Sequence, residues 1–329
     1  MQFDTILGND LLLHSRQDFE ASAIALYRYQ YEHNTLYRAY NEALHIRPEK
    51  VQSMVQIPFL PISFFKSHQV QSNASLPIAK IFDSSGTTGM TPSKHYVHDI
   101  GLYDAVSLAG FKQFYHDPKD WVVLALLPSY LERANSSLVH MVHMLMTETE
   151  QTVQGFYLNE FDLLQAQILR VQSSGKKVLL IGVTFALLDF AAAYPMDLQG
   201  VVVMETGGMK GRKEEWTRGQ VHQYLQQQWN LTRIHAEYGM TELLSQAYAQ
   251  AEGLFSPIDT MRVLIRDLQD PLDTQLVGTG ALNIIDLANA HSCAFIATED
   301  MGKVYADKRF EVMGRMDFAA LRGCSLMAV

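Results

Sequence analysis

Cysteine is scarce in this chain, with Cys293 and Cys324 the only two among 329 residues. A reducing compartment keeps such a pair as thiols, and a chain of this length has enough interior to fold without them, so a structural disulfide is not expected. Long apolar runs are missing as well. The longest, Trp121 to Pro128, falls far short of the roughly 18 residues of a membrane span. Positive charge is also in deficit: 26 Lys and Arg stand against 35 Asp and Glu, a formal balance of −9. That sign opposes non-specific binding to nucleic acid or to anionic lipid. The opening stretch, MQFDTILGND, carries acids where a secretory leader has basic residues followed by an apolar segment, and a cytoplasmic location is expected. No internal repeat, low-complexity tract or flexible linker interrupts the chain, which favours one continuous body over tethered modules.

What is present alternates. Between residues 15 and 45, Phe19, Ala23, Leu26, Tyr27, Tyr37, Tyr40 and Leu44 recur near the helical period, so an amphipathic helical start is expected. In IPFLPISFFKSHQV, Pro58 and Pro61 exclude a regular helix, and Phe59, Phe64 and Phe65 call for burial in a packed, extended segment. From Trp121 onward short apolar runs (WVVLALLP, KKVLLIGV, GVVVMETGG, RIHAEYG) each lead into a helical pattern, the last into MTELLSQAY. This is the signature of βαβ units around a mainly parallel sheet. Past Pro257 the helical period fades and MRVLIRD, GALNIIDLA, CAFIATED and GKVYA read as strands. The expected organisation is a helical segment at 1–75, an α/β core at 76–256, a β-rich subdomain at 257–312, and a tail at 313–329.

Residues 82–97, FDSSGTTGMTPSKHYV, crowd Ser84, Ser85, Thr87, Thr88 and Thr91 together with Gly86, Gly89 and Lys94 between expected strands. The glycines permit close backbone approach to an anion, the hydroxyls and N–H groups bind phosphate oxygens, and Lys94 adds a cation, so a polyphosphate is the natural ligand. The order of a P-loop is absent, since no glycine precedes Lys94. The string resembles instead the phosphate-binding motif of the adenylate-forming superfamily, Ser/Thr-Ser-Gly-Ser/Thr-Thr-Gly-x-Pro-Lys, with Thr91 and Ser93 inserted around Pro92.

Three further segments follow in the order of that superfamily: AEYGMTE at 236–242, ATED ending at Asp300, and MGRMDFAALRG at 313–323. They resemble its Tyr-Gly-x-Thr-Glu, Thr-Gly-Asp and Gly-Arg-x-Asp motifs, with Glu299 in place of the usual glycine. Tyr238 and Gly239 sit at an expected strand end, where ligands bind in open α/β sheets, and Thr241 and Glu242 are expected to open a helix, where they would also serve as a simple cap. The resemblance implies ATP and Mg²⁺ as cofactors. It assigns the phosphates to Ser84, Ser85, Gly86, Thr87, Thr88, Gly89, Lys94 and Thr241, the metal to Glu242, the ribose hydroxyls to Asp300, and the ribose or α-phosphate to Arg315. The implied fold is α/β, that of the superfamily's N-terminal domain. Its usual mobile C-terminal domain is not expected here, because the chain ends at Val329, shortly after Asp317.

With the tail LRGCSLMAV and the segments IPFLPISFFKSH, LPSYLERANSSLVHMV and METGGMKGR, most of the chain resembles the acyl-protein synthetases of bacterial luminescence, the LuxE-type family. Such proteins activate a fatty acid as acyl-AMP and carry the acyl group on a cysteine near their own C-terminus, which here is Cys324. It lies nine residues beyond Arg315, a reach of at most about 30 Å. A carboxylic acid is the implied substrate, and a reductase or acyltransferase the implied kind of protein partner. Two alternatives stay open: a ligase using coenzyme A or a carrier-protein thiol, and a catalytically silent nucleotide-binding homologue. Cys293 reads as core. Lys210 and Arg212 read as loop or as part of the adenine or carboxylate site, Ser136 and Ser137 as a cap or pocket wall, and His140 with His143 as helix-face residues rather than a metal pair.

Overall fold

The computed structural model describes residues 18–84, 91–128, 132–207 and 216–316. The helical start is two helices, α1 (Phe19–His33) and α2 (Thr35–Ala43). They break at Asn34, whose Oδ1 accepts from Tyr37 N at 2.9 Å while its Nδ2 donates to Ser292 O at 3.0 Å. An asparagine that caps one helix and ties the junction to a distant loop is a sufficient reason for the break. Gln30, also buried, donates to the carbonyls of Asn289 and Ala290.

The proline-bearing segment is only partly extended. Strand β1 (Leu60–Pro61) is followed at once by the short helical turn α3 (Phe64–Ser67). Phe59 and Phe65 are buried, as their size requires. Next come a two-stranded hairpin, β2 (Lys80–Asp83) with β3 (Lys94–Val97), and the long helix α4 (Ile100–Tyr115).

The repetitive middle forms the βαβ series. It runs β4 (Trp121–Leu126), α5 (Ser137–Thr149), β5 (Gly155–Phe156), α6 (Phe161–Gln172), β6 (Lys177–Val183), α7 (Thr184–Ala193), β7 (Val201–Thr206), α8 (Arg218–Trp229) and β8 (His235–Tyr238). Strands β5, β4, β6, β7 and β8 lie side by side and parallel. Both faces are covered, so β4 is buried at every position and reads as an unbroken apolar run. Alternate side chains enter two different cores. Val123 and Ala125 join Val106 and Phe111 of α4 and Val142 and Leu145 of α5, whereas Val122 and Leu124 join Ile168 of α6, Phe190 of α7 and Trp229 of α8. Each large side chain fully buried there contributes roughly 1.5–3 kcal/mol.

The last part is antiparallel: β9 (Ala247–Ala249), β10 (Leu254–Pro257), β11 (Met261–Arg266), β12 (Thr274–Gln275), β13 (Gly278–Asp286), β14 (Phe295–Val304) and β15 (Phe310–Arg315). It continues the same sheet from β8 through β9, β10, β15, β14, β13 and β11 to β12, with β1 lying parallel against β14. β8 is therefore the point where the sheet changes polarity, parallel to β7 on one side and antiparallel to β9 on the other. No helix among the described residues is long and apolar enough to cross a membrane.

Candidate functional site

The segment after Tyr238 is a turn, not the helix that MTELLSQAY leads one to expect. Thr241 and Glu242 stand in that turn and the chain re-enters the sheet as β9. The reason lies in Asp286, fully buried at the end of β13. Its Oδ2 accepts from Leu244 N at 2.7 Å and from Ser245 N at 3.0 Å, and its Oδ1 accepts from Ser245 Oγ at 2.5 Å. Asn289 Nδ2 also donates to Glu242 O at 2.7 Å. These bonds take the amides and the carbonyl that a helix would have used.

The β2–β3 hairpin is packed against this turn. Ser84 closes its base, donating its N–H to Ser93 O at 3.0 Å and accepting from Ser93 N on its Oγ at 2.8 Å. His95 Nδ1 bonds Thr241 O at 2.9 Å, which fixes that nitrogen as the protonated one. Burial drives the His95 imidazolium down to about 4, so the ring is neutral. Glu242 is 5% exposed, and its carboxyl is raised first by that burial, with the Ser93 hydroxyl and, more weakly, Arg315 and Lys66 opposing.

Tyr238 reaches across to the second half of the site. Its hydroxyl donates to Asp300 Oδ2 at 2.8 Å, and Arg315 Nε stands 3.3 Å from Asp300 Oδ1. Asp300 and Arg315 are directly opposed across β14 and β15, so the pairing is set by strand register rather than by a loop. Asp300 is buried in a strand while Arg315 is about half exposed, so the carboxylate is fixed and the guanidinium has solvent to turn into. A carboxylate offers about four acceptor directions, and two of Asp300's are used here.

Two buried acids that sequence reasoning passed over flank the same strand ends. Glu205, near the end of β7, accepts from Arg218 Nε at 2.7 Å and from Thr184 Oγ1 at 2.8 Å, with His222 Nε2 3.5 Å away. Burial pushes its carboxyl up, but His222, Arg218 and Thr184 together outweigh that and hold it below its ordinary value. Glu237, one residue before Tyr238, accepts from Thr206 Oγ1 at 2.5 Å. Burial dominates there, with Thr206 opposing and Glu205 assisting, and raises it to about 7. The available signal was an isolated acid at the end of an apolar strand, in VVVMET and in HAEY.

Of the residues expected from sequence, Ser84, Tyr238, Gly239, Thr241, Glu242, Asp300 and Arg315 converge around the carboxyl end of β8. Lys94 differs. It opens β3 with its side chain exposed on the face opposite Ser93 and His95, in register with Asp83. Ser85, Gly86, Thr87, Thr88, Gly89, Lys210, Arg212 and Cys324 lie outside the described residues. Cys293 is fully buried and its thiol is pushed up to about 12 by burial, as suits a core residue. His140 Nε2 bonds Asp104 Oδ1 at 2.8 Å, and no group of three or more His, Cys, Asp or Glu able to hold a metal ion occurs among the described residues.

No protein-family model matches the chain, and no curated protein matches it. Among solved structures it is similar to an open conformation of 2-hydroxyisobutyryl-CoA ligase in complex with 2-HIB-AMP and CoA, with TM-score 0.65 and 10% identity over 91% of this chain and 69% of that one. ATP-bound MatB from Rhodopseudomonas palustris follows at TM-score 0.55 and 13% identity, over 74% of this chain and 49% of that one. The amide bond synthetase McbA from Marinactinospora thermotolerans is similar at TM-score 0.52 and 18% identity, over 72% and 49%. The matched region thus spans about half the length of MatB and McbA. At these identities the likeness is one of fold, and the fold is that of the N-terminal domain of adenylate-forming enzymes.

Proposed function

We propose that the chain activates a carboxylic acid with ATP and then transfers the acyl group to the thiol of Cys324, as an acyl-protein synthetase does. The observation that carries this reading is the convergence of Tyr238, Asp300, Arg315 and Glu242 at the carboxyl end of the strand where the sheet reverses polarity. In the first step a carboxylate oxygen attacks the α-phosphorus in line, the bond to the bridging oxygen breaks, and pyrophosphate leaves. In the second the Cys324 thiolate attacks the acyl carbon, the acyl–oxygen bond breaks, and AMP leaves.

The residues divide the work. Asp300, held by Tyr238, accepts from the ribose hydroxyls. Arg315 turns from Asp300 toward the α-phosphate and balances the charge that builds up there. The hydroxyls of Ser84, Ser85, Thr87, Thr88 and Thr241 hold the outer phosphates. Glu242 suits Mg²⁺, which is commonly held by one or two carboxylates with its other positions filled by water and phosphate. Its carboxyl is buried beside the Ser93 hydroxyl, and a cation arriving with the nucleotide would offset the burial that disfavours its ionised form. Bound there, the metal would screen the phosphate oxygens.

Acid-dependent pyrophosphate release, tested first with fatty acids, is the expected result, and its absence with every acid class on a folded chain overturns adenylation. Cys324→Ser separates the second step. Retained AMP formation with loss of a covalently acylated chain supports the thioester, while undiminished transfer to added coenzyme A assigns the acceptor role to an external thiol. A reductase or acyltransferase would then draw on the thioester.

A further inference from the structure

On the sheet face covered by α4 lies a polar cluster in what is otherwise apolar core. Glu237 stands opposite Thr206 of β7 on one side and opposite Tyr248 of β9 on the other, so the three share one face. Gln246 belongs to the same group. A methyl group added at Gly239 would sit 2.5 Å from Glu237 Oε1 and 3.7 Å from Gln246 Cγ. From α4, Tyr103 and Ser107 lie one helical turn apart and Tyr115 packs edge-on to Tyr248. Burial and then Glu237 are the leading influences that raise both the Tyr103 and Tyr248 phenols, so the carboxyl and the two hydroxyls are near neighbours.

Two of these atoms are unanswered. Tyr248 Oη and Gln246 Oε1 are buried and make no hydrogen bond. Their residues are 2% and 3% exposed. Tyr103, by contrast, donates to Ser137 O at 3.0 Å, and Tyr115 pairs with His235 Nδ1 at 3.1 Å. Leaving a buried polar atom without a partner costs free energy comparable to a lost hydrogen bond. Two such atoms around a buried carboxyl, beside the strand end that carries Tyr238, mark a place built for something else to bind. Its chemistry follows from the inventory. Glu237 and the Gln246 oxygen accept, and the Tyr248 hydroxyl accepts or donates. The complement is a hydrogen-bond donor.

We propose that this cluster is a specificity site for the acid being activated, and that the acid carries a hydroxyl or ammonium group on its chain, held by Glu237, Tyr248 and Gln246. The proposal rests on the adenylation reading above and replaces the plain fatty chain that the sequence resemblance implies. A site that hydrogen-bonds a polar group strongly rejects the analogue lacking it, because its own atoms are then left unpaired.

Pyrophosphate release by the full chain is measured with matched acids bearing methyl, hydroxyl or amino groups at the same position, in aliphatic and aryl series. At least tenfold higher kcat/KM is expected for the hydroxyl or amino member of a pair. Tyr248→Phe should reduce that ratio at least tenfold, chiefly through KM. Glu237→Gln distinguishes the sources, lowering amino acids at least tenfold and hydroxy acids less than threefold. Both variants nearly conserve volume, and circular dichroism melting confirms that they fold. Preference for the methyl member in every pair overturns the proposal and leaves adenylation standing. If no acid releases pyrophosphate, binding followed by ligand-observed NMR decides. Saturable binding of the hydroxyl or amino acids, weakened by Tyr248→Phe, upholds the site and rejects adenylation, and no binding rejects both.

Discussion

Tyr238 and Asp300, 62 residues apart, are joined by a 2.8 Å hydrogen bond that locks the end of β8 to the middle of β14. The bond leaves Asp300 with free acceptor directions but little freedom to move, which is what recognition of two adjacent hydroxyls needs. Asp300→Asn replaces a charged acceptor and weakens the pairing with Arg315. The KM for ATP is expected to rise about tenfold, equivalent to about 1.4 kcal/mol, in a pyrophosphate-release assay. An unchanged KM would place the ribose elsewhere. Tyr238→Phe should cost roughly 1.5–3 kcal/mol in urea unfolding, the usual range for a hydrogen bond to a charged group.

Asp286 holds the turn that presents Thr241 and Glu242, accepting from Leu244 N, Ser245 N, Ser245 Oγ and Ala288 N. Asp286→Ala strands those donors in the interior and removes the reason for the turn. Loss of roughly 3 kcal/mol of stability is expected, with pyrophosphate release falling further than the population of folded chain explains. A loss below about 1 kcal/mol would show that the turn is held by something else.

The same residue explains where the sequence could and could not be read. Strands β4, β6 and β7 were legible because burial on both faces leaves largely apolar runs. Tyr238, Asp300 and Arg315 could be picked out as candidates because each stands in a short motif. The turn at 241–246 was not. MTELLSQ has good helix propensity, and what overrides it is a carboxylate 42 residues beyond Leu244, a contact no local pattern contains. Glu237, Tyr248 and Ser107 were hidden for a related reason: they come from three elements, and only the β8–β9 pairing and the packing of α4 bring them together.

A rise in pH should shift the stability of this protein in opposite directions through different residues. His95 and His235 are both pushed down to about 4, chiefly by burial, against about 6.5 when unfolded. Between those values the unfolded chain binds protons that the fold excludes. Each ring therefore contributes stability that is complete above pH 6.5 and lost toward pH 4, at up to about 1.4 kcal/mol per pH unit. Glu237, raised to about 7 from 4.5, runs the other way, its contribution full below pH 4.5 and lost as pH rises through 7. Urea unfolding from pH 4.5 to 7 checks both signs. The difference between wild type and His95→Gln should grow with rising pH, and that between wild type and Glu237→Gln should shrink. Differences that stay constant with pH would remove these two groups as the cause.

Gly302 sets the distance between the strands that carry Asp300 and Arg315. It lies on β14 where the pairing with β15 slips register between Met301 and Gly302. A Cβ added there would fall 2.2 Å from Glu311 O and 2.8 Å from Leu282 Cδ2. A flexible side chain could swing aside, but the nearer atom is backbone, so β15 itself has to move. Gly302→Ala should therefore cost roughly 1–3 kcal/mol of stability through overpacking. It should also raise the KM for ATP, since Asp300 and Arg315 are opposed just beyond the slip. Gly200→Ala is the matched control. Gly200 has φ +85° with no atom within 4 Å of the added Cβ, and it immediately precedes the amino end of β7, away from the site. Its cost of roughly 1–2 kcal/mol is backbone strain alone, and the KM for ATP should not change. If the two substitutions lower stability and raise KM in the same proportion, Gly302 acts through global stability and not through the spacing of the Asp300–Arg315 pair.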